Sequence, residues 1–451
     1  MRGIPLQKTL WHLGVLWRKS PLALSPEART GLWKMSAPAS TFDIFLSHTW
    51  HTPGKWKILS LFFQSGWRFS FLGWFVGASL MLLASTHKLL PLFIPYRSNF
   101  DGATISCGAA SRCLLGSLLG HGLGLLLSPY APSACARRPL CFLDVASIHQ
   151  TDRELMERGI YSIGGFLHVS KELQVLWSAP YLSRLWCIFE LAAYRTANPS
   201  GRVVLSPLFV ECGACICILG AYFAAFLFVF ALPLQHFGIY VVYVVGLLPI
   251  YVLMHLLRRN ILAKHQLFEG LRFFTLAEAR CESDFDHDFI HTAIRAWYGS
   301  AEAFTAYVQG SLRQELLASK PTTIPLRYLV LLVGVPFGLS LDFLAALIAR
   351  EAPMEWLLTE FLAGCLGFNL CWFFGSVQIA LFLCDRFAAP WRGGLFDYLQ
   401  TLVLFLIFFG VYFLGSLMAS TSNLWHALAV ASASLLFAIV TLVCRRAAVG
   451  S

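Results

Sequence analysis

The sequence predicts a cytoplasmic α/β domain with a doubly wound parallel sheet, joined to an all-α bundle of about eight transmembrane helices. Two observations lead to this prediction. The 451-residue chain is 57% hydrophobic and 13% charged, with a mean hydropathy of +0.65, so it is far more apolar than a soluble protein. Within it, residues 140–191 alternate short apolar runs with polar loops, which is the pattern of a soluble α/β domain.

The bundle is predicted from apolar runs close to the ~18–25 residues that cross a bilayer. The strongest runs are 212–232, 237–257, 399–417 and 424–443, followed by 328–349 and 357–383. The last two carry Asp342 and Glu360. A first pair, 69–84 and 113–127, is short and rich in glycine, so these segments either span the bilayer, lie in its interface or re-enter it.

The distribution of basic residues predicts the orientation of the chain. With eight spans and both termini cytoplasmic, 30 of the 34 lysines and arginines fall on the inside, leaving Lys88, Arg97, Arg112 and Arg350 outside. The positive-inside rule therefore places the soluble parts in the cytoplasm. It also accounts for the net charge of +10, together with anionic lipid, so we predict no nucleic-acid partner.

Two further features concern processing and redox state. The first 30 residues lack an apolar core followed by a small-residue cleavage site, so no cleavable signal peptide is expected. Thirteen cysteines without a paired framework suit a reducing compartment. Cys212, Cys215 and Cys217 lie at the mouth of a span, where either palmitoylation or apolar packing explains them.

Four strands and one helix are predicted for the soluble domain. A strand around Phe42 to Leu46 ends in Ser47 and His48, and helix 183–195 places its apolar residues on one face. The other strands are 140–144, 173–177 and 202–210. In a doubly wound sheet, functional side chains gather where the carboxyl ends of the strands meet.

The predicted division of the chain follows from these elements. It consists of a basic and aromatic lead at 1–40, irregular or interfacial with a short amphipathic helix at most, a split α/β domain at 41–56 and 138–211, an inserted membrane hairpin at 69–127, a transmembrane pair at 212–257, a cytoplasmic helical segment at 258–325, a four-helix transmembrane region at 326–443 and a basic tail at 444–451.

Several of these segments resemble the TIR (Toll/interleukin-1 receptor/resistance) domain family. DIFLSHTW resembles the first strand box of that family, and FLDVASIHQTD stands where its second strand and loop occur. VLWSAPYLSRLWCIFELAAY is similar to the third strand and third helix of plant-type and protist-type members, where a serine, a tyrosine, a Trp-Cys pair and a Glu-Leu pair recur. The resemblance covers about 100 residues in separate segments.

The resemblance implies two kinds of function. Members are adaptors that associate TIR with TIR, or enzymes that cleave the nicotinamide–ribose bond of NAD+, and the catalytic glutamate of the Glu-Leu pair falls on Glu190. A carboxylate there stabilises the oxocarbenium-like ribose that nicotinamide leaves behind. Ser47, His48, Asp144 and Trp186 are the expected NAD+-binding residues. NAD+ enters as a substrate, and neither a cofactor nor a metal site is predicted.

Plainer explanations apply to the same residues. Glu190 could equally be a solvated residue on the helix surface, and Trp186 could equally belong to the core. His48 could equally cap the next segment. Residues 147–152 replace the usual Arg-Pro-Gly-type loop, and membrane sequence follows the first strand where the family has a helix. In the enzymatic members of the family, the replaced helix helps to build the cleft and the assembly surfaces.

A transporter or channel regulated by a non-catalytic TIR-like domain is the alternative function. Asp342, Glu360 and the Gly/Pro-containing stretch 333–338, expected to break its span, motivate it, because intramembrane carboxylates often mark an ion route. Snorkelling or pairing explains Asp342 as well. The acidic residues at 282–288 read either as a hard-cation site or as a helix start.

Overall fold

The computed structural model describes residues 1–89, 94–100, 103–109, 111–237, 239–281, 284–318, 324–420 and 423–450. The chain forms two compact units. The first consists of Met1–Gly66, Leu126–Cys212 and Ala263–Pro321, and the second of Trp67–Leu125, Gly213–Leu262 and Thr322–Ser451.

The strands are β1 (Arg2–Pro5), β2 (Ala37–Pro38), β3 (Ile44–Ser47), β4 (Ile94–Phe100), β5 (Ala103–Ala109), β6 (Leu140–Phe142), β7 (Glu172–Trp177) and β8 (Arg202–Pro207). From the N-terminus to Arg272, the helices are α1 (Leu6–Thr9), α2 (Trp11–Arg18), α3 (Pro26–Met35), α4 (Gly54–Thr86), α5 (Arg112–Leu127), α6 (Asp144–Ser147), α7 (Arg153–Tyr161), α8 (Ile163–His168), α9 (Leu185–Ala197), α10 (Leu208–Ala231) and α11 (Ile239–Arg272). The remaining helices are α12 (Asp284–Tyr298), α13 (Ala301–Tyr307), α14 (Arg313–Ala318), α15 (Leu326–Ala349), α16 (Met354–Thr359), α17 (Phe373–Arg386), α18 (Leu395–Ala419) and α19 (Leu424–Gly450), with a π-helical stretch, Glu360–Trp372, joining α16 to α17.

The first unit contains a six-stranded mixed sheet in the order β2-β1-β6-β3-β7-β8. Strands β6, β3, β7 and β8 are parallel, and in chain order they are the second, first, third and fourth, which is the order of a doubly wound sheet. The expectation of a purely parallel sheet is wrong at one edge. There the N-terminal lead contributes β1, antiparallel to β6, and β2 beside it. Burial of Ile4 and Leu6 explains why this lead is ordered against the sheet rather than irregular.

Helix α9 lies on the core of this sheet. Leu185, Ile188 and Ala192 recur at helical spacing and are fully buried with Phe45 of β3 and Val175 of β7. The apolar face predicted for this segment therefore packs as expected, and it fixes which side chains of α9 point toward the strand ends.

The helix after the first strand is a candidate membrane span, as expected, but its first part belongs to the sheet-containing unit. Helix α4 begins at Gly54, and residues 54–66 belong to the sheet-containing unit. There Gln64 Oε1 accepts a hydrogen bond of 2.7 Å from Gln174 Nε2 on β7. The same helix serves as the crossover helix and then continues as an apolar segment, because it contains no charged residue after Arg68.

Eight helices of the described residues are long and apolar enough to cross a membrane, which is the architecture of a multi-pass membrane protein. These candidate spans are Gly54–Thr86, Arg112–Tyr130, Leu208–Leu234, Tyr240–Arg272, Leu326–Ala349, Met354–Arg386, Leu395–Ala419 and Leu424–Arg445. The first pair is thus longer than its apolar runs suggested. Helix α15 runs unbroken through Pro336, so the expected break at 333–338 does not occur.

Two close contacts organise the second unit. Helices α4 and α5 approach so closely that a Cβ at Gly120 would overlap the carbonyl oxygen of Gly73, the packing that a small-xxx-small pattern allows. The carboxylate of Asp342 accepts hydrogen bonds from the first three amides of α5: Oδ1 from Arg112 N and Cys113 N, each at 2.9 Å, and Oδ2 from Leu114 N at 3.0 Å. Asp342 therefore caps the N-terminus of α5.

Candidate active site

The candidate site lies where the parallel strands of the first unit end. Ser47 is the last residue of β3, and Asp144 follows β6 as the first residue of α6. Ser178 follows β7, and its Oγ lies 2.5 Å from Oγ1 of Thr52, which comes after β3. The carboxyl ends of parallel strands share one edge of a sheet, so these polar side chains converge.

Ser47 joins the sheet to helix α9. Its buried Oγ lies 2.5 Å from Oε2 of Glu190, to which it donates a hydrogen bond when the carboxylate is ionised, and 2.7 Å from the phenol oxygen of Tyr181. The Tyr181 hydroxyl also donates to the carbonyl oxygen of Cys187, at 3.2 Å. The predicted catalytic residue Glu190 therefore contacts the end of the first strand, where the predicted NAD+-binding residue Ser47 lies.

The hydrogen count at this cluster favours a protonated Glu190. Three contacts join Glu190, Ser47, Tyr181 and the Cys187 carbonyl, but the two hydroxyl groups supply only one hydrogen each. A proton on Glu190, donated to Ser47 Oγ, provides the third hydrogen, because Ser47 can then donate to Tyr181 and Tyr181 to the Cys187 carbonyl. With Glu190 ionised, one of the three oxygen pairs lacks a hydrogen.

Electrostatics act in the same direction. Burial raises the pKa of Glu190 to about 8, the negative charge of Asp144 adds to the rise, and the hydrogen bond from Ser47 opposes it. Near neutral pH the group is chiefly a neutral carboxylic acid that can donate a proton. Above about pH 8 it is a carboxylate that can stabilise a developing positive charge.

His48 and Asp144 form a second pair at the same edge. The side chain of His48 is only 2% exposed, whereas that of Asp144 is 42% exposed, and Nε2 of His48 lies 3.5 Å from Oδ1 of Asp144. Trp50 Nε1 donates to Oδ2 of Asp144 at 3.1 Å. The carboxylate is thus held between an imidazole and an indole while keeping access to solvent.

The protonation states of this pair follow from its surroundings. Burial lowers the pKa of His48 and the neighbouring Lys57 lowers it further, against the opposing effect of Asp144. His48, Trp50 and the backbone N–H of Val145 hold the pKa of Asp144 below its usual range. Neutral His48 beside ionised Asp144 is the expected state near neutral pH.

Lys57 completes the back of the site. Its Nζ donates to the carbonyl oxygen of Thr49 at 3.1 Å and lies 3.4 Å from Nδ1 of His48. The ammonium group sits 4.4 Å from the ring centre of Trp50 and 5.6 Å from that of Trp17, within cation–π range. A buried cation enclosed by two indoles and an imidazole makes this side of the site positive and aromatic.

Trp186, another predicted site residue, makes its contacts outside the group of polar side chains at the strand ends. Its Nε1 donates to Oδ2 of Asp286 on α12 at 3.3 Å, and its ring meets that of Phe189 edge to face at 5.4 Å. Those contacts suit the packing alternative left open for this tryptophan. Asp286 also belongs to the acidic run at 282–288, of which Glu282 lies outside the described residues.

Sequence reasoning missed Lys57, Trp50 and Trp17 as members of the site. The ring of Trp17, 1% exposed, meets His48 edge to face at 5.1 Å, although the two residues are 31 positions apart. Tyr181 carried a signal, because it is the tyrosine of the segment that resembles the TIR family. Lys57 carried none, since a lysine near a helix start is ordinarily solvated.

Across the described part of the chain, no three His, Cys, Asp or Glu side chains are placed to hold a metal ion. Comparison of the chain with known protein families, with curated proteins and with solved structures finds no match. The functional interpretation of this site therefore depends on its geometry and chemistry.

Proposed function

We propose that this chain is a multi-pass membrane protein whose α/β domain is a cytoplasmic, TIR-like signalling module that acts by TIR–TIR association. NAD+ glycohydrolase activity through Glu190 is the catalytic part of the proposal, and both termini are placed in the cytoplasm. The observation that carries it is the 2.5 Å hydrogen bond between Ser47 Oγ and Glu190 Oε2 at the carboxyl end of the first strand.

The chemistry of the site is compatible with cleavage of an N-glycosidic bond. When the bond between ribose and nicotinamide breaks, its electron pair leaves with nicotinamide, and the ribose becomes oxocarbenium-like. Ionised Glu190 beside the sugar stabilises that positive charge, and water then adds to the ribose carbon and releases a proton to solvent. Asp144, with its exposed side chain, is available to accept hydrogen bonds from ribose hydroxyls.

The proposal predicts an unusual pH dependence. Because burial raises the pKa of Glu190 to about 8, the reactive carboxylate is a minor form near neutral pH, and turnover should rise with pH through about 8 before it levels off. A carboxylate with an ordinary pKa would already be fully ionised there.

The test uses full-length protein purified in detergent, with nicotinamide release measured across this pH range. Glu190→Gln should abolish release. The matched control is Glu157→Gln, since Glu157 lies on the surface of α7, where it pairs with Arg153. Equal release by wild type and Glu190→Gln would reject the catalytic role.

Self-association is tested separately with two differently tagged copies in one membrane. Co-purification without nicotinamide release would leave an adaptor and remove the enzyme. Folded protein that neither associates nor releases nicotinamide would reject both parts of the proposal.

Transport or conduction by the membrane bundle is the second candidate function. The observation that favours it is the π-helical stretch that begins at Glu360, because π-helical turns often occur at functional sites. Asp342 counts against it, since its carboxylate is occupied as the cap of α5. Proton flux into liposomes that is lost in Glu360→Gln and kept in the exposed control Glu355→Gln would favour transport. Absence of proton flux in the wild type and in Glu355→Gln alike would reject transport.

A further inference from the structure

The N-terminal segment carries an exposed apolar surface that packing within the first unit does not account for. Trp11, Leu13 and Val15 are 37%, 52% and 55% exposed, while Gly14 and Leu16 between and beyond them are buried. Large apolar side chains in one short stretch, alternating with inward-facing residues, mark a contact surface rather than isolated exposed residues.

This surface adjoins a residue at the boundary of a membrane span. The ring of Trp11 stacks on that of Tyr130, with centroids 5.9 Å apart and an interplanar angle of 15°. Trp11 Nε1 donates to the carbonyl oxygen of Pro129 at 3.2 Å, and the backbone N–H of His12 donates to the Tyr130 hydroxyl at 2.8 Å. Tyr130 is the last residue of the candidate span Arg112–Tyr130. A bilayer crossed by that span would therefore have Trp11 at the level of its boundary.

An uncommon backbone conformation turns the apolar side chains outward. His12, Leu13 and Gly14 all have left-handed helical angles, with φ of 52°, 57° and 66°. That conformation is unfavourable for residues that carry a Cβ, so His12 and Leu13 must be held by their surroundings. The reversal faces Leu13 away from the protein and brings Gly14 against α4, where a Cβ would lie 2.7 Å from Ile58 Cγ1.

Basic residues border the surface. Arg18 is exposed and its guanidinium lies within 3.5 Å of the Leu13 carbonyl oxygen, and exposed Arg138 donates to the carbonyl oxygen of Ala131, next to Tyr130. An anionic bilayer surface binds indole and phenol rings at the level of its headgroups, with aliphatic side chains below them and cations beside them.

We propose that Trp11, Leu13, Val15 and Tyr130 form an interfacial anchor, with the three N-terminal side chains inserted into the interface of the same membrane that the span ending at Tyr130 crosses. The occupant is the bilayer, rather than a second protein, because the surface is continuous with a residue that ends a span. The anchor extends the proposed function to a lipid contact but does not depend on catalysis or on TIR association.

The anchor is also connected to the candidate active site. Two residues beyond Val15, the buried ring of Trp17 meets His48 and lies over Lys57. A bilayer that holds residues 11–15 therefore holds the tryptophan that encloses one side of the site.

The first experiment uses unmodified full-length protein in nanodiscs of phosphatidylcholine and phosphatidylserine with a photoactivatable diazirine on the acyl chain near the headgroup. Trypsin releases Thr9–Arg18, TLWHLGVLWR, and also Gly159–Lys171, GIYSIGGFLHVSK, which contains exposed Tyr161 far along the chain. Mass spectrometry should find lipid adducts on TLWHLGVLWR several-fold more often than on GIYSIGGFLHVSK. Equal or absent labelling of the first peptide would overturn the anchor.

The second experiment distinguishes the bilayer from a protein partner. A fluorescent amino acid replaces Leu13 in one sample and the comparably exposed Leu155 of α7 in the other. We expect doxyl-labelled lipid to quench the probe at position 13 several-fold more strongly than that at position 155, with the reverse order for aqueous iodide. Iodide quenching as strong at 13 as at 155, or protection of 13 from both quenchers as a second copy would cause, would overturn the proposal.

Discussion

Glu190→Gln should stabilise the protein, and the gain should grow with pH. Glutamine keeps the size and the hydrogen-bonding capacity of the protonated acid but never ionises. The native pKa of Glu190 is about 8, against 4.5 for the unperturbed group, so the folded state binds a proton that the unfolded state releases between these values. Wild type is therefore most stable below about pH 4.5 with respect to this group and loses stability as pH rises through about 8.

The size of the effect follows from the same two values. Each pKa unit corresponds to about 1.4 kcal/mol, so full ionisation of Glu190 costs about 5 kcal/mol. The part already lost is about 1 kcal/mol at about pH 5 and about 3 kcal/mol at about pH 7. Relative to wild type, Glu190→Gln should gain about 2 to 3 kcal/mol between those two pH values. Comparison at two pH values cancels any constant difference between glutamine and the protonated acid.

Two measurements on full-length protein in detergent check this reasoning. Unfolding followed by tryptophan fluorescence gives the stability difference at each pH, with Glu157→Gln as the control that should follow wild type. Infrared difference spectra between wild type and Glu190→Gln show the C=O band of the protonated carboxyl directly, and this band should disappear with a midpoint near pH 8. Asp144→Asn should move the midpoint to lower pH, because the charge of Asp144 helps to raise the pKa of Glu190. A band already absent near neutral pH, with parallel stability curves for both proteins, would refute the raised pKa.

Three further predictions concern contacts within each of the two units. Asp342→Ala removes the carboxylate that accepts three amides of α5 and should cost about 3 to 5 kcal/mol, seen as a lower unfolding temperature; an unchanged temperature would reject the cap. Gly120→Ala should destabilise the α4–α5 pair, whereas Gly122→Ala, where a Cβ meets nothing within 4 Å, should not, and equal effects of the two would contradict the close approach. Tyr181→Phe removes the Ser47–Tyr181 oxygen pair, which lacks a hydrogen when Glu190 is ionised. The pH midpoint of the Glu190 C=O band should therefore fall. A midpoint that rises would contradict the hydrogen count.

The sequence by itself determined the elements whose signal is local. Hydrophobic runs of bilayer length gave the eight candidate spans, since a backbone in lipid satisfies its hydrogen bonds as helix. Short apolar strands ending in polar residues located β3, β6 and β7, and with them Ser47 and Asp144. Glu190 was indicated only by the resemblance of its segment to the TIR family.

Only the tertiary structure decided which distant side chains meet. Trp17 reaches His48 because the N-terminal lead forms an edge strand of the sheet, and nothing local in residues 1–40 specifies that pairing. The sequence alone allowed Asp342 to lie on an ion route, whereas in the structure its carboxylate accepts hydrogen bonds at the N-terminus of α5. Periodicity reports which face of an element is apolar, but the partner of a polar side chain depends on packing between elements that are far apart in the chain. The same limit applies to Glu190, whose raised pKa results from burial that only the assembled strands, helix and Tyr181 produce.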